Sequence, residues 1–526
     1  MQRARSRRRL VGACLALGLI AAGPGAGSAG TLTRAQVEAQ LPALVEAQLP
    51  ALEALAQRAV DAGAVPGLAV AVVLGDATLL LKGYGLRQAG KPEPVGPDTV
   101  FQIASLSKPV TATIVAALVG DGVVDWDSRV ADLDPAFQLR EPYPTAQVTV
   151  RDFLNHRSGL PGTAGDDLEA IGFGRDAILH RLRLAPPASS FRAGYAYSNF
   201  GFTEGALAAA RPTGQPWEAV ARDRLFRPLG MTATGTTHAE FLSRADRAAL
   251  HVRAGGVWTA KVERNPDAQA PAGGVSSDVR DLSRWLRLVI GSGRYEGAQP
   301  VAAAALAQTH VPLTARGRNP VTGAASFYGL GWNVEYGRHG PVWGHAGAFS
   351  VGAQTLVSIH PEAGLGILVL TNAFPSGVPE GLADSFADLV FDGRVGRDWV
   401  TAWGAAYETL FAPGIAADKA AYSTPPAPPA APLALSAYAG RYANAYVGEA
   451  VVAEADGALT LTVGPGGARR YPLRHFDRDL FLSFPDAEAP DRPSAVRFAI
   501  GSDGRAAALT VDALDASGLG TLARRD

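Results

Sequence analysis

One ten-residue stretch, Phe101-Gln-Ile-Ala-Ser105-Leu-Ser-Lys108-Pro-Val110, constrains this chain more than any other. Ser105 and Lys108 stand three apart, ahead of an Ala- and Val-rich run that ends at Gly120. On a helix, residues three apart share a face. A serine at the start of that helix lies at its positive dipole end, where a developing oxyanion is favoured. A serine hydroxyl is a weak nucleophile and needs an adjacent base, which a lysine one turn on supplies. The bland alternative, a capping serine and a solvated lysine, fits poorly. Val110, Ile114, Val115 and Leu118 make the helix apolar nearly all round, so it should be buried. A buried lysine is costly without a partner or a task. The chain has 48 Lys and Arg, of which only residues 82, 91, 108, 261 and 419 are lysine. Where a plain cation suffices it uses Arg, and Lys108 stands where a group must be able to lose its proton. Pro109 is tolerated because the first turn has no intrahelical N–H bonds to lose.

Length 526 exceeds one ordinary domain. The formal net charge of −1 argues against nucleic acid as a partner. Residues 1–29 read as a signal peptide: Arg3, Arg5, Arg7, Arg8 and Arg9, an apolar Leu10–Ala22 too short to span a membrane, and a small-residue site at Ser28-Ala29. The expected location is periplasmic or extracellular, by general or twin-arginine export. The sole cysteine, Cys14, lies inside this segment, so no disulfide or Cys nucleophile is expected beyond it. No later stretch reads as a membrane span.

Residues 30–54 read as a helical arm, broken or kinked at Pro42 and Pro50. Gly67 to Leu81 reads as a hairpin about Gly75-Asp76. A largely helical region follows to about 290, with a helix at Asp278–Ile290 capped from the serines before it. From Tyr328 to Thr371 the pattern is a β meander, followed by a helix at Glu380–Phe391. Residues 413–432, with six prolines, read as an extended linker. Beyond it short alternating strands predict a small barrel or sandwich.

An acyl-enzyme needs further groups: a proton shuttle, a residue to hold it, and an N–H from a β edge. Tyr197-Ser198-Asn199 offers a phenol and an amide that share a side if the segment is extended. Tyr442-Ala-Asn444 has the same spacing and reads as structural. His345-Ala-Gly347 lies in a predicted strand, where glycine permits close approach. A lone His in such a strand is ordinarily structural, and His156 is read that way. The nine histidines are scattered without a His-Glu-x-x-His, so no metal or cofactor is expected. No Gly-x-Ser-x-Gly is present to support a Ser-His-Asp hydrolase.

In order, Ser105-x-x-Lys108, Tyr197-x-Asn199 and His345-x-Gly347 resemble the three motifs of the serine β-lactamase/penicillin-binding-protein superfamily, closest to the class C β-lactamase-like, or CubicO-type, group. The likeness extends through Val148-Thr-Val-Arg-Asp-Phe-Leu-Asn-His-Arg-Ser-Gly-Leu-Pro161, Pro228-Leu-Gly-Met231, Gly273-Gly-Val-Ser-Ser-Asp278 and Tyr328-Gly-Leu-Gly-Trp332. It implies an α+β fold, an antiparallel sheet flanked by helices plus a mostly helical lobe, over 55–412. Residues 433–526 resemble the lipocalin-like domain of some CubicO-type peptidases, which implies a homo-oligomer and a share in shaping the cavity. The implied roles are Ser105 as nucleophile, Lys108 as its base, and Tyr197 as general base and acid. Asn199, His345 and Gly347 would bind substrate, and the N–H groups of Ser105 and Ala348 would form the oxyanion hole. The third motif departs from the lactamases' Lys-Thr-Gly. His345, partly charged near neutrality, is expected to meet a substrate carboxylate. The implied enzyme is an exported serine hydrolase of peptides or amides, with D-residues among them. A carboxylesterase, a weak β-lactamase and a penicillin-binding sensor without turnover are the alternatives.

Overall fold

The computed structural model describes residues 34–261, 263–485 and 491–525. The signal peptide expected at 1–29 lies outside them. By its internal contacts the chain divides between Leu41 and Pro42. The described part of the first unit is the start of helix α1 (Arg34–Asp61). Of the expected break or kink, the break does not occur: Pro42 and Pro50 lie inside this helix and do not end it. Each removes one N–H, but the surrounding Ala, Leu, Glu and Gln are strong helix formers. The helix also outruns the expected arm boundary at residue 54.

The second unit is built on an eight-stranded antiparallel sheet. Its strands are β1 (Gly67–Leu74), β2 (Ala77–Gly85), β3 (Thr314–Arg318), β4 (Ala325–Tyr328), β5 (Asn333–Gly337), β6 (Gly340–Phe349), β7 (Ala353–His360) and β8 (Leu365–Thr371), in the spatial order β2-β1-β8-β7-β6-β5-β4-β3. The hairpin about Gly75-Asp76 and the meander form where their alternation indicates. Strands β3 and β4 were not anticipated, because Thr-Ala-Arg-Gly-Arg carries no apolar alternation. Strand β8 is buried along its whole length and β1 nearly so, as central strands covered on both faces must be.

Helix α2 (Ser107–Gly120) is buried from Ser107 to Leu118 and runs through the helical lobe beside α4 (Asn199–Ala210). The short α3 (Asp166–Ala170) lies between them in sequence. Helix α5 (Val279–Ile290) begins one residue later than expected. Its cap is Asp278, which accepts the Asp281 N–H at 2.7 Å, not one of the serines. Asp competes as well as Ser for this position and stands one residue nearer the first turn. Helices α6 (Val378–Asp392) and α7 (Trp399–Ala421) follow the sheet in sequence.

Helix α7 corrects the expected linker. Pro413 lies inside it, and residues 413–421 are helical, so extended chain is left only beyond Ala421. The alanines at 412, 416, 417, 420 and 421 are the strongest helix formers and carry the helix past one proline. The tail is a closed eight-stranded barrel, β9 (Gly440–Asn444), β10 (Gly448–Ala455), β11 (Ala458–Val463), β12 (Arg469–Asp477), β13 (Leu480–Ser483), β14 (Ser494–Ile500), β15 (Ala506–Val511) and β16 (Thr521–Arg524). Tyr438, Tyr442, Phe481 and Phe498 pack against one another inside it, with the Tyr438 and Phe498 ring centroids 4.9 Å apart. Closure removes the exposed strand edges. Its apolar core is continuous with that of the preceding lobe.

Candidate active site

Ser105 sits in a single 3₁₀ turn, Ala104–Leu106, immediately before α2. Ala104 holds φ of +48°, a left-handed conformation that costs a non-glycine residue energy and recurs where a turn presents a reactive group. The turn is fixed from two sides. Thr355 Oγ1 of β7 donates to the Ile103 carbonyl at 2.8 Å, and the Val275 N–H donates to Ser107 Oγ at 3.0 Å.

Lys108, the second residue of α2 and one turn on from Ser105, is fully buried. Its ammonium donates to Ser105 Oγ at 3.1 Å, Asn199 Oδ1 at 2.8 Å and the Ala272 carbonyl at 3.0 Å. Burial lowers it to about 7, against a smaller opposing pull from Asp166. Near neutral pH such an amine is free part of the time to take a hydroxyl proton.

Tyr197 and Asn199 do not lie on an extended strand. Ser198 is the cap of α4, accepting the Gly201 N–H at 3.1 Å, and this turn brings both neighbours to Lys108. The lysine nitrogen is 4.4 Å from the Tyr197 ring centroid. Burial drives the Tyr197 phenol far above its ordinary range, and a hydrogen bond with Ser105 only partly opposes this. The phenol is therefore a neutral donor. His156, read as structural, accepts the Ser198 N–H at 3.1 Å and lies 4.4 Å from the Tyr197 ring, so it backs the site.

Gly347 of β6 lies against the serine turn. A Cβ there would stand 2.2 Å from the Ile103 carbonyl oxygen and 2.8 Å from the Leu106 nitrogen. Only a glycine lets the strand come this close. Ala348 follows it and is exposed.

His345 overturns one expectation. Its Nδ1–H donates to the Ala346 carbonyl at 2.6 Å, which leaves Nε2 to accept from the Tyr328 hydroxyl at 3.0 Å. It is buried, and desolvation with the nearby Lys108 charge lowers it to about 3. It is neutral at physiological pH and cannot supply the expected cation. A histidine motif on a strand does not reveal how deeply the ring will be covered.

Three further groups reach this site without a warning in local spacing. The Ala272 carbonyl comes from the segment around Gly273-Gly-Val-Ser-Ser. Asp166 of α3 lies 3.5 Å from Asn199 Nδ2, and burial, then Glu169, raises it to about 7. Tyr328 joins Tyr195 and Tyr197 in an aromatic wall. Each is brought in by the fold from far along the chain. Among the described residues, the one grouping that could hold a metal, His339, Asp388 and Asp392, includes none of these residues. Arg338 pairs with both of its carboxylates.

Residues 52–390 match the family described as Beta-lactamase, and residues 424–520 match a domain of unknown function, DUF3471. "Penicillin-binding protein 4" of Amycolatopsis lactamdurans is 30% identical over 347 residues, covering 63% of this chain and 86% of that protein. "D-alanyl-D-alanine-carboxypeptidase/endopeptidase AmpH" of Escherichia coli (strain K12) is 26% identical over 332 residues, 62% of this chain and 84% of that one. An octameric penicillin-binding protein homologue from Pyrococcus abyssi superposes with a TM-score of 0.55 at 19% identity, covering 88% of this chain and 98% of that one. The chain belongs to the beta-lactamase family of serine hydrolases, with a β-lactamase/transpeptidase fold followed by an all-β barrel. Among the described residues no helix is long and apolar enough to cross a membrane.

Proposed function

We propose that this is an exported hydrolase of peptides or amides, D-residues among them, acting through an acyl-enzyme on Ser105. The observation that carries this reading is the fully buried Lys108 amine, lowered to about 7 and 3.1 Å from Ser105 Oγ. Lys108 takes the Ser105 proton as Oγ attacks the carbonyl carbon. The oxyanion is met by the N–H groups of Ser105 and Ala348. Tyr197 gives its proton to the departing nitrogen and takes up the one Lys108 received, so that the phenol ends neutral and the amine is free again. Asn199 holds Lys108 and presents its amide to the substrate. Water then attacks the ester, its proton returns through Lys108 to Ser105 Oγ, and the acid leaves. The neutral His345 removes the fixed cation that a β-lactam carboxylate would meet at the third motif, which favours a peptidase over a β-lactamase. The carboxypeptidase name of the Escherichia coli relative points the same way. Export through residues 1–29 and assembly of several copies through the barrel belong to this proposal.

The test is a panel of D- and L-aminoacyl anilides, p-nitrophenyl esters and a chromogenic cephalosporin, with mass spectrometry of the quenched protein. The expected result is turnover of amides with an acyl adduct on Ser105. Ser105→Ala should fall below about 1 per cent of the wild-type rate, the residue left by binding alone. A burst without steady turnover on every substrate would point instead to a trapping, penicillin-binding module.

A further inference from the structure

On the face of the sheet away from Ser105 lies a buried polar chain that the acyl-enzyme chemistry does not use. Along α7, Trp399, Trp403 and Tyr407 stand four apart, and along α6 so do Asp388, Asp384 and Glu380. Trp399 Nε1–H donates to Asp388 at 2.8 Å, Trp403 Nε1–H to Asp384 at 2.7 Å and the Tyr407 hydroxyl to Glu380 Oε1 at 2.6 Å. The first two pairs join helix to helix, whereas the third goes on to the sheet. Glu380 Oε2 accepts from Gln354 Nε2 of β7 at 2.8 Å. Gln354 Oε1 in turn accepts the Ser376 N–H at 2.9 Å and the Ser376 hydroxyl at 3.0 Å. Gln354 is fully buried and Glu380 nearly so.

Gln354 is the cross-strand partner of Ala348, and the next residue, Thr355, is that of Gly347. Successive strand residues face opposite sides of a sheet. Thr355 therefore holds the serine turn on one face, through the Ile103 carbonyl, while Gln354 is held from the helices on the other. Strand β5 pairs with β6 from Gly340 to Gly344 and stops there. Among the described residues, β7 is then the only strand beside residues 345–349 of β6. Whatever fixes β7 at this point fixes the stretch that bears Ala348. A buried polar cluster commonly does no more than satisfy itself. Packing does not require one, because apolar groups of the same shape in place of both partners leave stability nearly unchanged. What a fully bonded network adds is a unique, rigid arrangement.

We infer that Glu380 is a positioning residue for the oxyanion hole: through Gln354 it sets β7, and through β7 the Ala348 N–H that meets the developing charge. Tyr407 orients the Glu380 carboxylate, so α7 braces the site from the far side of the sheet. An N–H aimed at the oxyanion favours the transition state over the bound substrate, so the effect belongs in kcat and not in KM. The oxyanion forms in acylation and deacylation alike, so kcat responds whichever step limits it.

The inference rests on the acyl-enzyme reading, and one experiment separates the two. Burial raises the Glu380 carboxyl to about 7, against the smaller pull of the Tyr407 hydrogen bond. Assays at about pH 8 therefore keep it an acceptor on both oxygens. Hydrolysis of a p-nitrophenyl ester is measured for the full-length protein and for Glu380→Leu, Glu380→Gln and Tyr407→Phe, with the melting temperature of each. Glu380→Leu keeps the volume but releases Gln354. It should lower kcat about 10-fold with KM unchanged, short of the roughly 100-fold or more that loss of a whole oxyanion donor costs. Glu380→Gln, whose carbonyl still accepts from Gln354, should restore most of the rate. Tyr407→Phe removes only the outer bond and should lower kcat in the same sense by less; it decides alone if Glu380→Leu does not fold. A wild-type kcat in the deciding variant, a loss carried by KM, or equal losses in Glu380→Leu and Glu380→Gln would overturn the positioning role while Ser105-dependent hydrolysis stands. Ester hydrolysis that survives Ser105→Ala would overturn the acyl-enzyme reading and this role with it.

Discussion

Lys108 makes three hydrogen bonds as a donor and still lies at about 7, because burial outweighs them. If its neutral amine is the base, kcat/KM should rise with pH through about 7 and then level off. Asp166 pulls in the opposite sense, favouring the charged amine. Asp166→Asn removes that anion, so Lys108 should lose its proton more readily and the rising limb should move to lower pH. Because the two groups interact, the limb reports the pair and not either residue alone. A pH–rate profile of the variant checks this, and a limb that stays or moves upward would rule out Lys108 as the titrating base. His345 gives a contrasting expectation. Its value of about 3 places no titration between pH 5 and 8, so His345→Gln should weaken anionic and neutral substrates alike. A selective loss of the anionic substrate, read from KM, would return the carboxylate to His345. Ser105 and Lys108 were legible in the sequence because three residues of helix bring them together. Asp166 and Tyr328 were not, since nothing local links them to residues tens or hundreds of positions away. For His345 the residue was visible but its burial was not.

At the scale of elements, the site depends on how closely β6 approaches the turn before α2. Gly347→Ala would set a methyl 2.2 Å from the Ile103 carbonyl and 2.5 Å from Thr355 Oγ1. The strand or the turn must then shift. A displacement near 1 Å at a reacting centre costs about 100-fold in rate. The expected outcome is a loss of that order in kcat with the circular dichroism spectrum retained, and near-wild-type kcat would mean that the strand has slack. The meander and the buried helix were legible because period-two and all-round apolar patterns are strong signals. The start of α4 was not. Tyr197-Ser-Asn reads equally well as extended chain, and the cap geometry of Ser198 appears only once the helix is packed. Likewise Pro413 looked like the start of a linker, whereas a run of alanines carried α7 through it.

At the scale of the molecule, the sequence suggested a small all-β tail set apart by an extended proline-rich linker. The contacts argue for a docked partner instead. Tyr446, in the turn between β9 and β10, is buried, and its hydroxyl donates to Asp167 at 2.7 Å and receives the Gly165 N–H at 3.3 Å. Arg181 donates to the Tyr446 carbonyl at 2.8 Å, and Arg469 to the Ala170 carbonyl at 3.0 Å. The bonds to Gly165, Asp167 and Ala170 grip α3, which carries Asp166. A hydroxyl so buried is expensive to leave unpaired, which ties barrel to lobe. Residues 424–429 are exposed and non-helical, so limited proteolysis should cut there and spare the helical 413–421. The two pieces should then remain together on gel filtration and keep their activity, because the tether contributes little beside the shared apolar core. Tyr446→Phe should loosen the nicked complex and shift the pH limb assigned to Lys108 and Asp166, since α3 loses its clamp. Pieces that separate at once after nicking, with the lobe still fully active, would show that the barrel neither holds nor tunes the site.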